Sequence, residues 1–212
     1  HLERMQHDLQ EPLTRPSGAP ARGKRASGVL PFEDHQEALV LREWREYLRE
    51  GHARPFLAFV SFQSPHPPSL PTQELFDEMA LIDIPLPPPP DENAANHPFL
   101  GGPRKTAPDA HRLHYLRHYF AFVRFTDFCA GQALQILDES GYRENTLVLY
   151  ASDHGDMLYE HGMTGKMVHY ENSVRVPVIA RWPGRIPAGW RYKGLVELLD
   201  LFPTLREAAG IE

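Results

Sequence analysis

Twice in this chain a segment of helical period runs into a short apolar strand, and that alternation constrains the fold more than any other feature. From Asp34 onward, Ala38, Leu41, Trp44, Tyr47 and Leu48 recur at spacings of three and four, which predicts an amphipathic helix ending near Gly51. Phe56-Leu57-Ala58-Phe59-Val60-Ser61-Phe62 then runs apolar without a helical stripe and reads as a buried strand. The pattern repeats downstream. A long helix is predicted over residues 114–140, with Tyr119, Phe122, Val123, Thr126, Ala130, Ala133, Leu134 and Leu137 keeping the 3.6-residue period and Gly141 closing it. Residues 146–151 form the second buried strand, and residues 176–181 a third candidate stopped by Pro183-Gly184. A last helix is expected through Ala209, capped by Asp200, with Pro203 in its first turn and Gly210 at its end. Helices alternating with fully apolar strands predict an α/β layered domain, with helices flanking a mostly parallel sheet.

At 212 residues the chain is long enough for one large domain or two small ones, and it needs no staples to hold a core. Its 21 prolines, about twice the usual share, predict long, shaped loops. Residues 1–33 read as a loop-rich segment with a basic cluster (Arg15, Arg22, Lys24, Arg25) that is either a solvated loop or an anion contact. Residues 34–212 read as the folded part, interrupted by a long loop at 63–110. A net charge of −6 argues against a nucleic-acid partner, and no apolar run approaches the ~20 residues of a membrane span. The single cysteine, Cys129, excludes an internal disulfide and reads as a small core hydrophobe. The first residues, His1-Leu2-Glu3-Arg4, are no signal peptide, and without an initiator Met the start of the gene product is expected to be missing or processed. The expectation is a soluble protein of unassigned compartment.

The chemistry gathers where strands end, because ligands in open α/β sheets bind beyond the carboxyl ends of the strands. The strand at 146–151 delivers Asp153 and His154, followed by Gly155. A carboxylate and an imidazole side by side can both ligate a divalent metal; equally, Asp153 can cap a turn and His154 be a rim histidine. The strand at 56–62 delivers His66, held between Pro65 and Pro67-Pro68. Such a histidine can donate a proton to a leaving oxygen, or be a plain loop histidine. Gly165-Lys166 follows in a polar loop with Asp156, Glu160, His161 and Thr164. Lys166 can meet an anion as a point charge or remain a surface lysine, but lysine is scarce here, with Lys24, Lys105 and Lys193 the only others. His111, His114 and His118 are spaced to chelate a metal or to line a solvated helix face.

Taken together, Ser152-Asp153-His154-Gly155-Asp156-Met157-Leu158, Glu160-His161-Gly162, Gly165-Lys166-Met167, Tyr170-Glu171-Asn172-Ser173-Val174-Arg175-Val176-Pro177 and Trp182-Pro183-Gly184 form one ordered string. It closely resembles the sulfatase family of the alkaline phosphatase superfamily, and the segments at 55–68, 141–146 and 200–205 resemble it in the same order. The resemblance implies an alkaline-phosphatase-like layered fold. It implies that Asp153 and His154 are metal ligands, that Lys166 contacts the sulfate or phosphate group, and that His66 faces the bridging oxygen of the ester. The implied cofactor is one divalent ion, Ca²⁺ in the first instance, with Mn²⁺ or Mg²⁺ as alternatives.

The departures from the family pattern matter as much. Members carry an upstream pair of acidic metal ligands and a Cys-x-Pro-x-Arg or Ser-x-Pro-x-Arg motif whose first residue becomes the formylglycine nucleophile. Neither is present: Cys129-Ala130-Gly131-Gln132 does not fit, and Ser17-Gly18-Ala19-Pro20-Ala21-Arg22 has one residue too many before Pro20. The chain therefore resembles the second half of a sulfatase-type catalytic domain. The expected function is metal-dependent hydrolysis of sulfate esters, small-molecule or carbohydrate, with the formylglycine supplied by a missing N-terminal half. Alternatives are a phosphonate monoester or phosphodiester hydrolase of the same superfamily, and a non-catalytic module that binds a sugar sulfate or a partner. His66 and Lys166 are expected on the same rim as Asp153, with the loop at 67–110 reading the organic part of the substrate.

Overall fold

The computed structural model describes residues 29–90 and 107–211. The basic cluster, the near-motif at 17–22 and residues 91–106 of the long loop lie outside the described residues. The chain divides into two compact units, one of residues 1–86 with 107–141, the other of 87–106 with 142–212. Each is described by itself.

The first unit is helical. Helix α1 spans Gln36–Arg49, α2 spans Gln73–Ala80 and α3 spans Asp109–Glu139. Helix α2 lies inside what the sequence suggests is a continuous loop, and α3 begins five residues earlier than its apolar period predicts, directly after Pro108. Pro108 fits there because its carbonyl accepts the His111 and Arg112 N–H groups, while the N–H that proline lacks has no helical partner at that position. The buried stripe of α3 runs His118, Phe122, Phe125, Cys129, Gln132 and Ile136, at steps of four and three. That stripe is rotated from the expected one: Phe122, Thr126 and Leu137 are buried, but Val123 and Leu134 are each 38% exposed. The helix carries apolar groups on more than one side, so the period reveals a helix but not the face that α1 and α2 will cover.

Leu41 and Leu48 of α1, Leu75 and Met79 of α2, and Phe125 of α3 form the centre of this core, and Phe32 packs at 5.9 Å from the Phe125 ring. Burying one such phenyl ring fully stabilises by about 2–3 kcal/mol. The Trp44 indole N–H donates to the Ala133 carbonyl at 3.1 Å and fixes α1 along α3. Cys129 is fully buried here as expected, and burial pushes its thiol pKa far up, so it is inert. Of the histidines at the start of α3, the His114 and His118 rings meet at 4.3 Å between centroids. His118 is buried against the Phe76 ring and donates to the His114 carbonyl at 2.9 Å, whereas His111 is exposed. Among the described residues no group of three or more metal-ligating side chains assembles.

The strand expected at 56–62 is corrected by the structure. The segment belongs to no sheet among the described residues, and Leu57 and Phe59 are 77% and 92% exposed. An apolar strand becomes buried only when neighbours cover it, and the described residues offer no such cover to these two side chains.

In the second unit, β1 (Val148–Ala151) pairs antiparallel with β2 (Val178–Arg181), Val148 opposite Arg181 and Ala151 opposite Val178. The parallel partner expected for β1 is not among the described strands. A 3-10 turn at Arg143–Asn145 precedes β1, held by the Thr146 hydroxyl donating to the Tyr142 carbonyl at 2.7 Å. Helix α4 is the single turn Glu171–Val174, and α5 spans Leu201–Ala208. Asp200 precedes α5 but does not cap it. Its carboxylate turns back to accept the Glu197 N–H at 2.8 Å, closing a capping box on the 3-10 turn Leu198–Asp200. Among the described residues no helix is long and apolar enough to cross a membrane.

Candidate active site

The turn after β1 is built by its own polar side chains. The Ser152 hydroxyl donates to the His154 carbonyl at 2.9 Å, and the Asp153 Oδ1 accepts the His154 N–H at 2.9 Å. Asp153 thus does cap its neighbour, as one of the two readings has it, but only through one oxygen. His154 Nδ1 lies 2.8 Å from the Gly155 carbonyl, an acceptor, so the ring proton sits on Nδ1 and the Nε2 lone pair is left for another partner. That lone pair faces Asp153 Oδ2 at 3.3 Å and the Lys166 Nζ at 2.5 Å.

Gly155 fixes where this turn sits. Its N–H donates to the Ser173 carbonyl at 2.8 Å, and a Cβ at Gly155 would fall on the Asn172 carbonyl. The glycine is needed for this close approach of two backbones, where the sequence suggests only a freer turn.

Lys166 arrives by a tightly wound loop. Met157 and Met163 are buried and pack with Val168 and Tyr170 as its small core. The backbone is left-handed at Leu158 (φ 46°), Tyr159 (φ 70°), His161 (φ 54°) and Met167 (φ 80°), none of them glycine. Such conformations cost free energy and persist where the surroundings over-determine them, commonly at functional sites. Here the Tyr159 N–H donates to the Met163 carbonyl at 2.6 Å, and the His161 ring stacks on Tyr170 at 4.2 Å between centroids.

The structure therefore brings Asp153, His154 and Lys166 together. His66 lies in the other unit, where its exposed ring donates from Nδ1 to the Pro67 carbonyl at 2.7 Å, which leaves Nε2 as the reactive nitrogen. Its loop is anchored two residues upstream by the Ser64 N–H, which donates to Oε1 of the buried Glu37 at 2.8 Å. Glu37, Asp156 and the Asn172–Ser173 backbone hold these turns by hydrogen bonds, and sequence reasoning assigns them no role. Asp156 is visible to it only as one polar residue among several.

A carboxylate oxygen and an imidazole nitrogen 3.3 Å apart, both presenting lone pairs, fit two adjacent positions around one divalent ion. The pair is incomplete by itself, since a hard cation takes six or more ligands. This acid, imidazole and loop lysine sit on an α/β fold of the alkaline-phosphatase-like kind. The chain belongs to the sulfatase family: the family model Sulfatase matches residues 4–211.

Its relatives include an arylsulfatase and a phosphonate monoester hydrolase. Arylsulfatase K of Xenopus laevis is 29% identical over an alignment of 221 residues that covers 94% of this chain and 41% of that protein. The multifunctional alkaline phosphatase superfamily protein PehA of Trinickia caryophylli is 27% identical over 203 residues, covering 86% of this chain and 40% of that protein. Among solved structures, the phosphonate monoester hydrolase of Agrobacterium radiobacter superposes with a TM-score of 0.73 at 25% identity, over 85% of this chain and 40% of that one. The chain spans about two fifths of the length of these relatives.

Proposed function

We propose that this chain supplies the metal- and anion-binding part of a sulfuric ester hydrolase. The observation that carries the reading is the convergence of Asp153 Oδ2, His154 Nε2 and Lys166 Nζ at the end of β1. Asp153 and His154 would hold a divalent ion, Ca²⁺ in the first instance, completed by acidic ligands outside this chain. An ion held there would supply Lewis-acid polarisation of the ester's anionic oxygens. The attacking group is a formylglycine hydrate, also supplied from outside the chain.

The chain's own residues do the rest. Lys166 holds a nonbridging oxygen of the sulfate as a point charge, where charge builds in the transition state. His66, protonated, donates from Nε2 to the departing oxygen, so that the leaving group departs as an alcohol and not as an alkoxide. The Pro67 carbonyl that accepts from Nδ1 fixes the direction of the ring.

A second reading keeps the site and changes the ester. The likeness to a phosphonate monoester hydrolase favours a phosphonate monoester, with a phosphodiester as the other member of this reading. The test uses the full-length protein that carries this chain, with an aryl sulfate and an aryl phosphonate monoester side by side. The first reading expects kcat/KM to be higher on the sulfate, with Asp153→Ala, His154→Ala and Lys166→Ala each lowering it. Higher turnover of the phosphonate selects the second reading. Residues 1–212 alone are expected to be inactive and to bind Ca²⁺ weakly. Turnover by purified 1–212 that disappears in Asp153→Ala would overturn the need for an outside nucleophile.

A further inference from the structure

We propose that Asp156 is the positioning residue for Lys166, acting through the backbone of Gly165. The proposal rests on the anion-binding role given to Lys166 above. Gly165 immediately precedes the lysine, and both of its peptide groups are tied to residues 156 and 157. Its N–H donates to Asp156 Oδ1 at 3.2 Å, and its carbonyl accepts the Met157 N–H at 2.7 Å. The same Asp156 oxygen accepts the Leu158 N–H at 2.9 Å. One carboxylate oxygen thus closes a two-residue turn at the start of the loop and a nine-residue return at its end.

Between those two closures lie the left-handed residues Leu158, Tyr159 and His161. A loop wound against its own preferences relaxes when its closing bonds are removed. Gly165 itself sits at φ 81°, where a side chain is strained, so the acceptor and the glycine act together to aim the chain into Lys166. Removing the acceptor moves the lysine's anchor and takes Nζ away from the point it shares with His154 Nε2. A displacement of about 1 Å of a group that positions substrate costs on the order of 100-fold in rate.

The experiment measures kcat, KM and inhibition by inorganic sulfate in the full-length protein for Asp156→Ala, Asp156→Asn, Lys166→Ala and the double variant Asp156→Ala/Lys166→Ala. Asp156→Ala is expected to lower kcat/KM by roughly 10–100-fold and to weaken sulfate inhibition. Asp156→Asn keeps the acceptor oxygen and should stay within about threefold of wild type. In the Lys166→Ala background, Asp156→Ala should add less than about threefold, because the two residues act as one unit. Independent multiplication of the two single effects, or an asparagine variant as damaged as the alanine one, overturns the proposal. Should Asp156→Ala not fold, Asp156→Glu carries the test: it keeps the charge and moves the acceptor by one methylene. Its loss must again vanish in the Lys166→Ala background, and wild-type activity in Asp156→Glu overturns the proposal. If Lys166→Ala alone changes neither turnover nor sulfate inhibition, the anion role of Lys166 fails, and this proposal with it. An impaired Lys166→Ala beside an unaffected Asp156→Ala sinks only the positioning role.

Discussion

The ammonium of Lys166 lies 2.5 Å from the Nε2 of His154, twelve residues before it, on the lone pair that an ion shared with Asp153 would need. The arrangement joins the two halves of the site.

This relationship predicts opposite signs for two measurements on one variant. Lys166→Ala removes a positive charge and a competing donor from the metal position, so Ca²⁺ should bind the full-length protein several-fold more tightly by calorimetry. The gain corresponds to about 1 kcal/mol of relieved repulsion. Turnover should fall in the same variant by roughly 100-fold, because an oxygen of the anion loses its cation. Weaker Ca²⁺ binding in Lys166→Ala would show that the lysine supports the metal position instead of competing for it.

Gly155→Ala should be among the most damaging single changes in the second unit. The added methyl group meets the Asn172 carbonyl, which is backbone and cannot rotate away. The turn carrying Asp153 and His154 must then leave its Ser173 hydrogen bond, at a cost of about 1–3 kcal/mol. Urea titration of the full-length protein should show a lower midpoint, together with loss of metal affinity. A variant of wild-type stability and affinity would show that the turn can sit elsewhere.

His66→Ala should hurt esters with poor leaving groups far more than those with good ones. Proton donation matters most when the departing oxygen is strongly basic, and general acid catalysis supplies about 10²–10⁴-fold. A series of aryl and alkyl sulfates measures this. A uniform loss across the series would leave His66 a binding group only.

Acid should loosen the first unit through His35. This ring is 5% exposed and tilted against Phe125 at 4.2 Å between centroids, and burial lowers its pKa below the ordinary 6.5, although the Glu37 carboxylate pulls the other way. Between the folded-state pKa and 6.5 the unfolded chain therefore binds a proton that the folded chain does not. Stability is full above that window and declines as pH falls through it, by at most ~1.4 kcal/mol per pH unit. Urea midpoints between pH 5 and 8 should show the slope, and His35→Gln should flatten it. A midpoint that rises on acidification in the native protein contradicts the assignment.

Part of this was legible in the residues themselves. The helices at α1 and α3 announce their period, Cys129 falls on a buried position, and Asp153-His154 follows a strand, β1, although Tyr150 and Ala151 are exposed where the sequence suggests a buried strand. These are consequences of neighbours one to four residues apart, and a one-dimensional pattern records such neighbours faithfully. The tertiary structure decided the rest. It chose the His118–Ile136 face of α3 over the face with Val123 and Leu134, because α1 and α2 pack there and a helix with apolar groups on several sides has no preference of its own. It paired residues 148–151 antiparallel with 178–181, and left Leu57 and Phe59 exposed in a segment whose composition suggests burial. It also brought Lys166 back to His154 through one oxygen of Asp156. Each of these depends on which distant segments close a loop onto one another. That choice is made by packing and by hydrogen bonds between residues far apart in sequence, and no local period carries it.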